Sequence, residues 1–328
     1  MKHETINVLI LSAGRRVELT RCFIRARDEL DVQGKIVAVD ICELAPALYF
    51  ADAFYLVPRV TEDTYVQSLI DICNKENICL IVPTIDTELL ILMENREYIE
   101  SNTQAKILLS NDDVIRICRD KNNTQRFFEN NGFGVPVRYT VENIEKQQIS
   151  FPLFIKPKDG SSSINAYKVN SMKELRFFAE YIEQPIIQEF ISGTEYSVDV
   201  FCDFEGNLVT VVPRERIAMR GGEIAKGKIV KDRKLIDDVK KMIEILKPIG
   251  QITIQCMKTE IGIVYIEINP RFGGGAPMSI AAGADSCKNL YRLLRGEKLS
   301  YYEDYTENIC LRFDDCIFFN MNMEKLDD

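Results

Sequence analysis

The chain has 328 residues but only one histidine, His3, and no tryptophan. With its single imidazole at the third position, no internal histidine is left for a Ser-His-Asp triad, a Cys-His pair or a His-rich zinc site. Any catalysis must therefore rest on carboxylates, lysines, arginines, backbone amides or a bound metal. Ten cysteines are scattered at 22, 42, 73, 79, 118, 202, 256, 287, 310 and 316, with no CxxC. That spacing argues against a zinc ribbon or a redox pair. No apolar run approaches the roughly 20 residues of a membrane span. No charged-then-apolar leader with a cleavage site is visible, so free thiols in a reducing cytoplasm are expected. The net charge is −9, which makes neither a nucleic-acid backbone nor a membrane an expected partner.

What is present is an ordinary globular balance, 46% hydrophobic and 28% charged, in a chain long enough for two or three domains. Short apolar runs at 6–11, 36–39 and 78–82 alternate with helical patterns at 16–30 and 64–76. Strands alternating with helices predict a parallel sheet with crossovers, an α/β domain over 1–115. The turn Ser12-Ala13-Gly14 has one glycine where a dinucleotide fingerprint has three. Asp40 stands at about the right distance to hold a ribose, yet a plain strand-to-helix turn is the stronger reading. Strands are expected near 151–156, 185–190, 195–202, 207–212, 251–258 and 262–269. Helices are expected over 123–131, 171–183 and 234–246. This second part, 116–328, reads as α+β, a small lobe to about 190 and a large lobe after it.

Three stretches carry chemistry. A hairpin turn centred on residue 261 would set Gln255 opposite Glu267, and period-2 alternation puts Glu267 and Asn269 on one face. Such oxygen donors suit Mg²⁺, especially where phosphate oxygens complete the shell. Solvated or capping side chains at a strand end are the plain alternative. Lys156 closes a strand and is followed by a loop of small residues, Gly160 to Ser163, whose amides and hydroxyls could wrap phosphate oxygens; an ordinary surface hairpin reads the same way. Glu189 and Glu195 flank a glycine turn in Glu189-Phe190-Ile191-Ser192-Gly193-Thr194-Glu195.

These stretches, in this order, resemble the ATP-grasp superfamily, and within it the stand-alone members similar to the carbamoyl-phosphate synthase large subunit. The segment Ile266 to Gly275 (IEINPRFGGG) carries the resemblance most specifically. Ser12 to Leu19 and Ile85 to Leu89 resemble the domain that precedes the ATP-grasp fold in that group. The resemblance implies an α/β parallel-sheet domain followed by a two-lobed α+β ATP-grasp fold, with ATP and Mg²⁺ (or Mn²⁺) as cofactors. It implies that Lys121 touches the phosphates, and that Lys156 bridges the adenine edge and the α-phosphate. Ser161, Ser162 and Ser163 would form a flap over the phosphates. Glu189, Phe190 and Ile191 would read adenine, and Glu195 would hold the ribose. Gln255, Glu267 and Asn269 would be the metal ligands. Asn165 stands where many relatives have glycine, a departure that a left-handed Asn can absorb.

Arg271 would stabilise charge on the transferring phosphoryl group. Arg214 and Arg216, alternating on one strand face, and Lys226 would face an acceptor carboxylate and acyl phosphate; a solvated charged loop is the alternative. Gly273 to Gly275 would let backbone amides approach an anion. The implied reaction is an ATP-dependent joining of a small-molecule carboxylate and an amine through an acyl phosphate. Bicarbonate phosphorylation of the carbamoyl-phosphate-synthase type and an ATP-binding regulatory module without turnover are the other readings. Homodimers are frequent among similar proteins, so a homodimer belongs to the expectation.

Overall fold

A computed structural model describes residues 5–147, 149–158, 164–323 and 325–326. His3 and the predicted flap serines Ser161, Ser162 and Ser163 lie outside the described residues.

The first sheet is parallel, in the order β3-β2-β1-β4-β5, built from β1 (Asn7–Ile10), β2 (Ile36–Asp40), β3 (Ala53–Leu56), β4 (Ile78–Val82) and β5 (Lys106–Ile107). Its central strands are apolar at nearly every position because both faces are covered. Alternation then sorts the side chains between two cores. Val8 and Ile10 pack on one side with Phe23 of the helix Val17–Glu29, and Leu9 and Leu11 pack on the other with Leu69 and Leu92. The side holding Phe23 also takes in Phe201, Phe272, Ala276 and Tyr291 from the second half of the chain. Phe23 meets Phe272 edge-on at 5.7 Å between ring centres. Burying these rings, at roughly 2–3 kcal/mol each, fixes the loop after residue 269 against the parallel-sheet domain. In the first turn, Asp40 Oδ2 accepts the Gly14 amide at 2.8 Å and Oδ1 accepts the Cys42 amide at 3.0 Å. Asp40 therefore braces the strand-to-helix turn.

The second sheet is antiparallel, in the order β6-β9-β7-β8, with β6 (Arg138–Tyr139), β7 (Leu153–Pro157), β8 (Tyr167–Val169) and β9 (Pro185–Glu189). The helix Met172–Tyr181 covers it through Leu175, which packs with Leu153, Ile155 and Val169. Ser171 caps that helix by accepting the Glu174 amide at 3.3 Å. Glu174 reaches back to the Asn170 amide, one residue beyond the N-cap amide that a full capping box would use. Asn165 has φ +55°, the left-handed backbone its side chain tolerates.

The third sheet is antiparallel, in the order β14-β13-β10-β11-β12-β15, with β10 (Thr194–Cys202), β11 (Leu208–Arg220), β12 (Glu223–Ile229), β13 (Gly250–Lys258), β14 (Ile263–Asn269) and β15 (Ile309–Leu311). The helix Arg233–Leu246, capped by Asp232, buries Leu235, Val239, Met242 and Ile243 against Val198, Val200 and Ile252. The strand expected to end at 212 runs on to Arg220. Its charged second half pairs with β12 as a hairpin, where backbone pairing outweighs the polar sequence; β10 reaches only to Glu215.

Candidate active site

The two antiparallel sheets, with Arg16 from the parallel-sheet domain, line one cleft of about 560 Å³. Its floor is the β13–β14 hairpin. Thr259 and Gly262 close the turn, with the Thr259 amide donating to Gly262 O at 2.8 Å. Near the turn Lys258 pairs with Ile263 and Cys256 with Tyr265, a ladder that would set Gln255 against Ile266. A β-bulge inserts one extra residue there and brings Glu267 opposite Gln255. The predicted pair thus forms although the turn centre falls half a residue earlier than 261. Asn269 Nδ2 donates to Glu267 Oε1 at 3.0 Å, while Glu267 Oε2 makes no hydrogen bond among the described residues. Among those residues no group of three or more His, Cys, Asp or Glu gathers. One carboxylate with two neutral oxygen donors is a partial shell for a hard cation, and it fits a metal that shares the oxygens of a bound phosphate.

One wall is made by the second sheet. Lys156, on β7, is 8% exposed, and burial pushes its ammonium down to about 8 although Glu267 opposes the shift. Lys121 stands at the start of the helix Lys121–Asn130, which Asp120 caps, and donates to Pro157 O at 3.0 Å. Phe190 and Ile191 line the cleft, and Lys168 lies over the Phe190 ring at 4.2 Å. Glu189 Oε1 accepts the Val137 amide at 2.8 Å, so this carboxylate is partly engaged by its own sheet edge.

The other wall is made by β10 and β11. Glu195 Oε1 lies 3.3 Å from Arg216 Nε, and burial raises the carboxyl above its usual range. Arg216 also donates to Gly222 O at 3.0 Å. Arg214 is 2% exposed and lies along Asp199 at 3.1–3.3 Å; Thr253 and Ser279 hydroxyls donate to the same carboxylate. The adjacent glycines are shaped to these side chains. A Cβ on Gly275 would lie 2.0 Å from Arg214 Nη1, and one on Gly273 would lie 2.7 Å from Thr253 Oγ1. The glycines are thus required by the side chains behind them, a reason for the triplet that spacing did not reveal.

Of the residues singled out by sequence, Lys121, Lys156, Glu189, Phe190, Ile191, Glu195, Arg214, Arg216, Gln255, Glu267, Asn269 and Arg271 line this one cleft. Lys226 does not. It is an exposed residue of β12, paired with Ala218 and Leu311, and the register shift between Ala218 and Met219 breaks the alternation that would have set it on the face of Ile224. Arg271 Nη2 donates to Asp86 Oδ2 at 2.6 Å, which ties the end of the hairpin to the parallel-sheet domain. Three lining or supporting charges had been given no role: Arg16, Asp86 and Glu223. Arg16 and Asp86 lie in the two N-terminal stretches that carried the family resemblance, and that was the available signal.

A family model described as the ATP-grasp domain matches residues 118–275, and one described as the PylC-like N-terminal domain matches residues 8–106. The chain carries an ATP-grasp domain. Curated relatives of this ATP-grasp chain include a D-alanine–D-alanine ligase B of Clostridium perfringens, 26% identical over 195 residues, covering 52% of this chain and 63% of the relative. A carbamoyl-phosphate synthase of Methanobrevibacter smithii is 25% identical over 169 residues, covering 49% and 44%. The chain thus spans less than two thirds of the length of either. Among solved structures, the N5-carboxyaminoimidazole synthetase of Staphylococcus aureus complexed with ADP is similar with a TM-score of 0.73. It is 16% identical, covering 95% of this chain and 83% of that one, a likeness of fold.

Proposed function

We propose that the ATP-grasp cleft binds Mg-ATP and that the chain is an ATP-dependent carboxylate–amine ligase. The observation that carries the reading is the bulged hairpin. It sets Gln255, Glu267 and Asn269 together at the floor of the cleft, with Lys121, Lys156 and Arg271 also lining it. ATP would supply the phosphoryl group that makes a carboxylate into an acyl phosphate, which an amine then attacks with loss of phosphate. Mg²⁺, held by Glu267, Asn269 and Gln255, would supply charge neutralisation. Mn²⁺ suits the same oxygen donors.

The chain's own part is positioning and electrostatics. Lys121 and Lys156 bring positive charge to the phosphate end. Lys156, already poor in water, loses less solvation when it meets an anion than an exposed lysine would. Glu189, Phe190 and Ile191 form the edge against which a planar base can lie, and Glu195 is the acceptor for ribose hydroxyls. Arg271, held by Asp86, presents a fixed guanidinium at the end of β14. Arg216 sits on the same wall, while Arg214 acts from behind the glycine loop. The partners are a small-molecule acid and amine in the cytoplasm, where the ten cysteines stay reduced; no described helix is long and apolar enough to cross a membrane. A homodimer completes the proposal.

The test is ADP and phosphate release from Mg-ATP with a panel of acid–amine pairs. Turnover with at least one pair, lost in Glu267→Gln by about 100-fold or more, is expected. Tight Mg-ATP binding with no turnover on any pair would favour a regulatory module.

A further inference from the structure

The two antiparallel sheets meet at the helix Lys121–Asn130. The body of this helix belongs to the third sheet. Phe127 and Phe128 are buried with Val198, Ile254 and Tyr265, and the rings of Phe128 and Tyr265 are centred 5.4 Å apart. Tyr265 stands on β14, two residues before Glu267. The first turn of the helix belongs to the second sheet. Lys121 Nζ donates to Pro157 O at the end of β7, and Lys158 Nζ lies 3.4 Å from Asp120 Oδ2. Arg138, on β6, donates Nη2 to Lys121 O at 3.0 Å and Nη1 to Asn122 Oδ1. The helix is therefore a spacer between the sheet that carries Lys156 and the strand that carries Glu267 and Asn269.

Register places Arg138 on the cleft side of the second sheet. It pairs with Gln188, and Gln188 pairs with Phe154, so the three form one row across one face. Phe154, Lys156 and Gln188 line the cleft from that face, while Arg138, at the sheet edge, does not line it. Its guanidinium forks onto two neutral oxygens, a carbonyl and an amide. Burial lowers it from its ordinary value, against the pull of Glu129 and Asp120. A cation beside the first turn of a helix stands at the unfavourable end of the dipole, and Lys121 is already there. Helix stability gives no reason for an arginine at this place. The two other ties are less dependable. Lys158 and Asp120 are each 31% exposed on their side chains, where ion pairs contribute little. The Lys121 ammonium is itself the group that a phosphate would draw on. Arg138 is the tie that a nucleotide leaves alone.

We infer that Arg138 is a positioning residue for nucleotide binding: it pins the first turn of the helix to the second sheet, so that Lys121 and Lys156 face the same phosphates. It touches neither nucleotide nor metal. The inference rests on the Mg-ATP reading of the cleft and not on the ligase chemistry. What the position needs is a fork rather than a charge. A lysine there keeps the charge but lacks the rigid planar pair of donors that spans both oxygens. Lys156 supplies a second handle. Besides burial, the charges acting on it are Glu267, which raises it, and Lys121 and Arg138, which lower it. Removing Arg138 takes away a repelling cation and lets water reach Lys156. Both changes raise the pH at which Lys156 loses its charge.

The test is calorimetric titration of the full chain with MgADP, at pH values on both sides of the Lys156 value of about 8. Arg138→Met should weaken MgADP by about 10-fold or more, and Arg138→Lys should restore little of that loss. Asn122→Ala removes one acceptor of the fork and leaves the helix backbone alone. It should weaken MgADP in the same direction but by less, and adding it to Arg138→Met should cost almost nothing further. The pH at which binding weakens should move upward in Arg138→Met, whereas a mere loss of overall stability leaves that pH where it is. Asn122→Ala decides the matter where Arg138→Met fails to fold. Arg138→Lys or Asn122→Ala binding like the parent, additive losses in the double variant, or an unmoved pH dependence overturns the inference. The parent separates this claim from the reading beneath it. A parent that binds MgADP while the variants bind it equally well sinks the positioning role alone. A parent that binds no MgADP sinks the Mg-ATP reading and the role with it. Turnover does not enter, so MgADP binding that depends on Arg138 without any ligase activity leaves the inference standing.

Discussion

Replacing Arg214 by methionine should loosen the large sheet before it alters any chemistry. The guanidinium is 2% exposed and lies along Asp199, itself 1% exposed. Removing one partner of a buried pair costs about 3–5 kcal/mol, because the other charge stays behind unpaired. Here Asp199 keeps two hydroxyl donors, Thr253 at 2.9 Å and Ser279 at 2.6 Å. They soften the loss, so the lower end, about 3 kcal/mol, is expected. For a folding unit of this size that is a fall of about 6–12 °C in melting temperature. Adding Asp199→Asn to Arg214→Met removes the stranded charge and keeps a carbonyl for the hydroxyls. The double variant should therefore recover at least about 1 kcal/mol against the sum of the singles. Urea unfolding and differential scanning calorimetry of the four proteins close the cycle. An Arg214→Met protein that melts like the parent, yet has lost turnover with Mg-ATP, would refute the structural role and return Arg214 to the reacting groups.

Lys156 should make nucleotide affinity depend on pH. Its folded value of about 8 means that the charge available to a phosphate falls as pH rises through about 8, so ADP binding should weaken there. Lys156→Met should bind more weakly at all pH and lose that dependence, as titration calorimetry would show. The same shift makes the unfolded chain hold more protons between about 8 and 10.5, so the lysine's contribution to stability rises with pH across that window. Glu88 should do the opposite. It is 1% exposed, accepts from Ser12 and Tyr65, and burial pushes it up to about 7. With the folded carboxyl raised above its ordinary 4.5, stability falls as pH rises from about 4.5 to about 7 and then levels off, by about 3 kcal/mol. Glu88→Gln should flatten that slope in denaturation measured across the same window. Gly275→Ala places a Cβ against Arg214, which Asp199 prevents from moving aside. A loss of about 1–3 kcal/mol, with a matching drop in melting temperature, is the expected outcome.

Much of the architecture follows from local pattern. The parallel sheet is legible because β1, β2 and β4 are short runs apolar on both faces, separated by amphipathic helices. The metal-ligand candidates are legible because alternation along β14 puts Glu267 and Asn269 on one side whatever surrounds them. The left-handed turn at Asn165 is legible because few side chains tolerate it. The pairing of Gln255 with Glu267 was predicted from a turn centre slightly misplaced. A bulge, which leaves no clear mark in the sequence, supplied the missing residue.

Tertiary structure alone decided which cations are spent and which remain open to a ligand. Arg16, Arg214, Arg216 and Arg271 are the same residue type; Arg271 stands in the motif-rich stretch 266–275, and Arg214 and Arg216 lie on β11, with β13 and β10 between it and β14. The family resemblance implied that Arg214, Arg216 and Arg271 would face one site. It could not show that Asp199 takes Arg214, that Asp86, 185 residues away, takes Arg271, or that Arg16 is left without a carboxylate. Ion pairing depends on distances of a few ångströms between distant segments, and it is packing such as that of Phe23 on Phe272 and Tyr291 that joins the N-terminal domain to the second half of the chain.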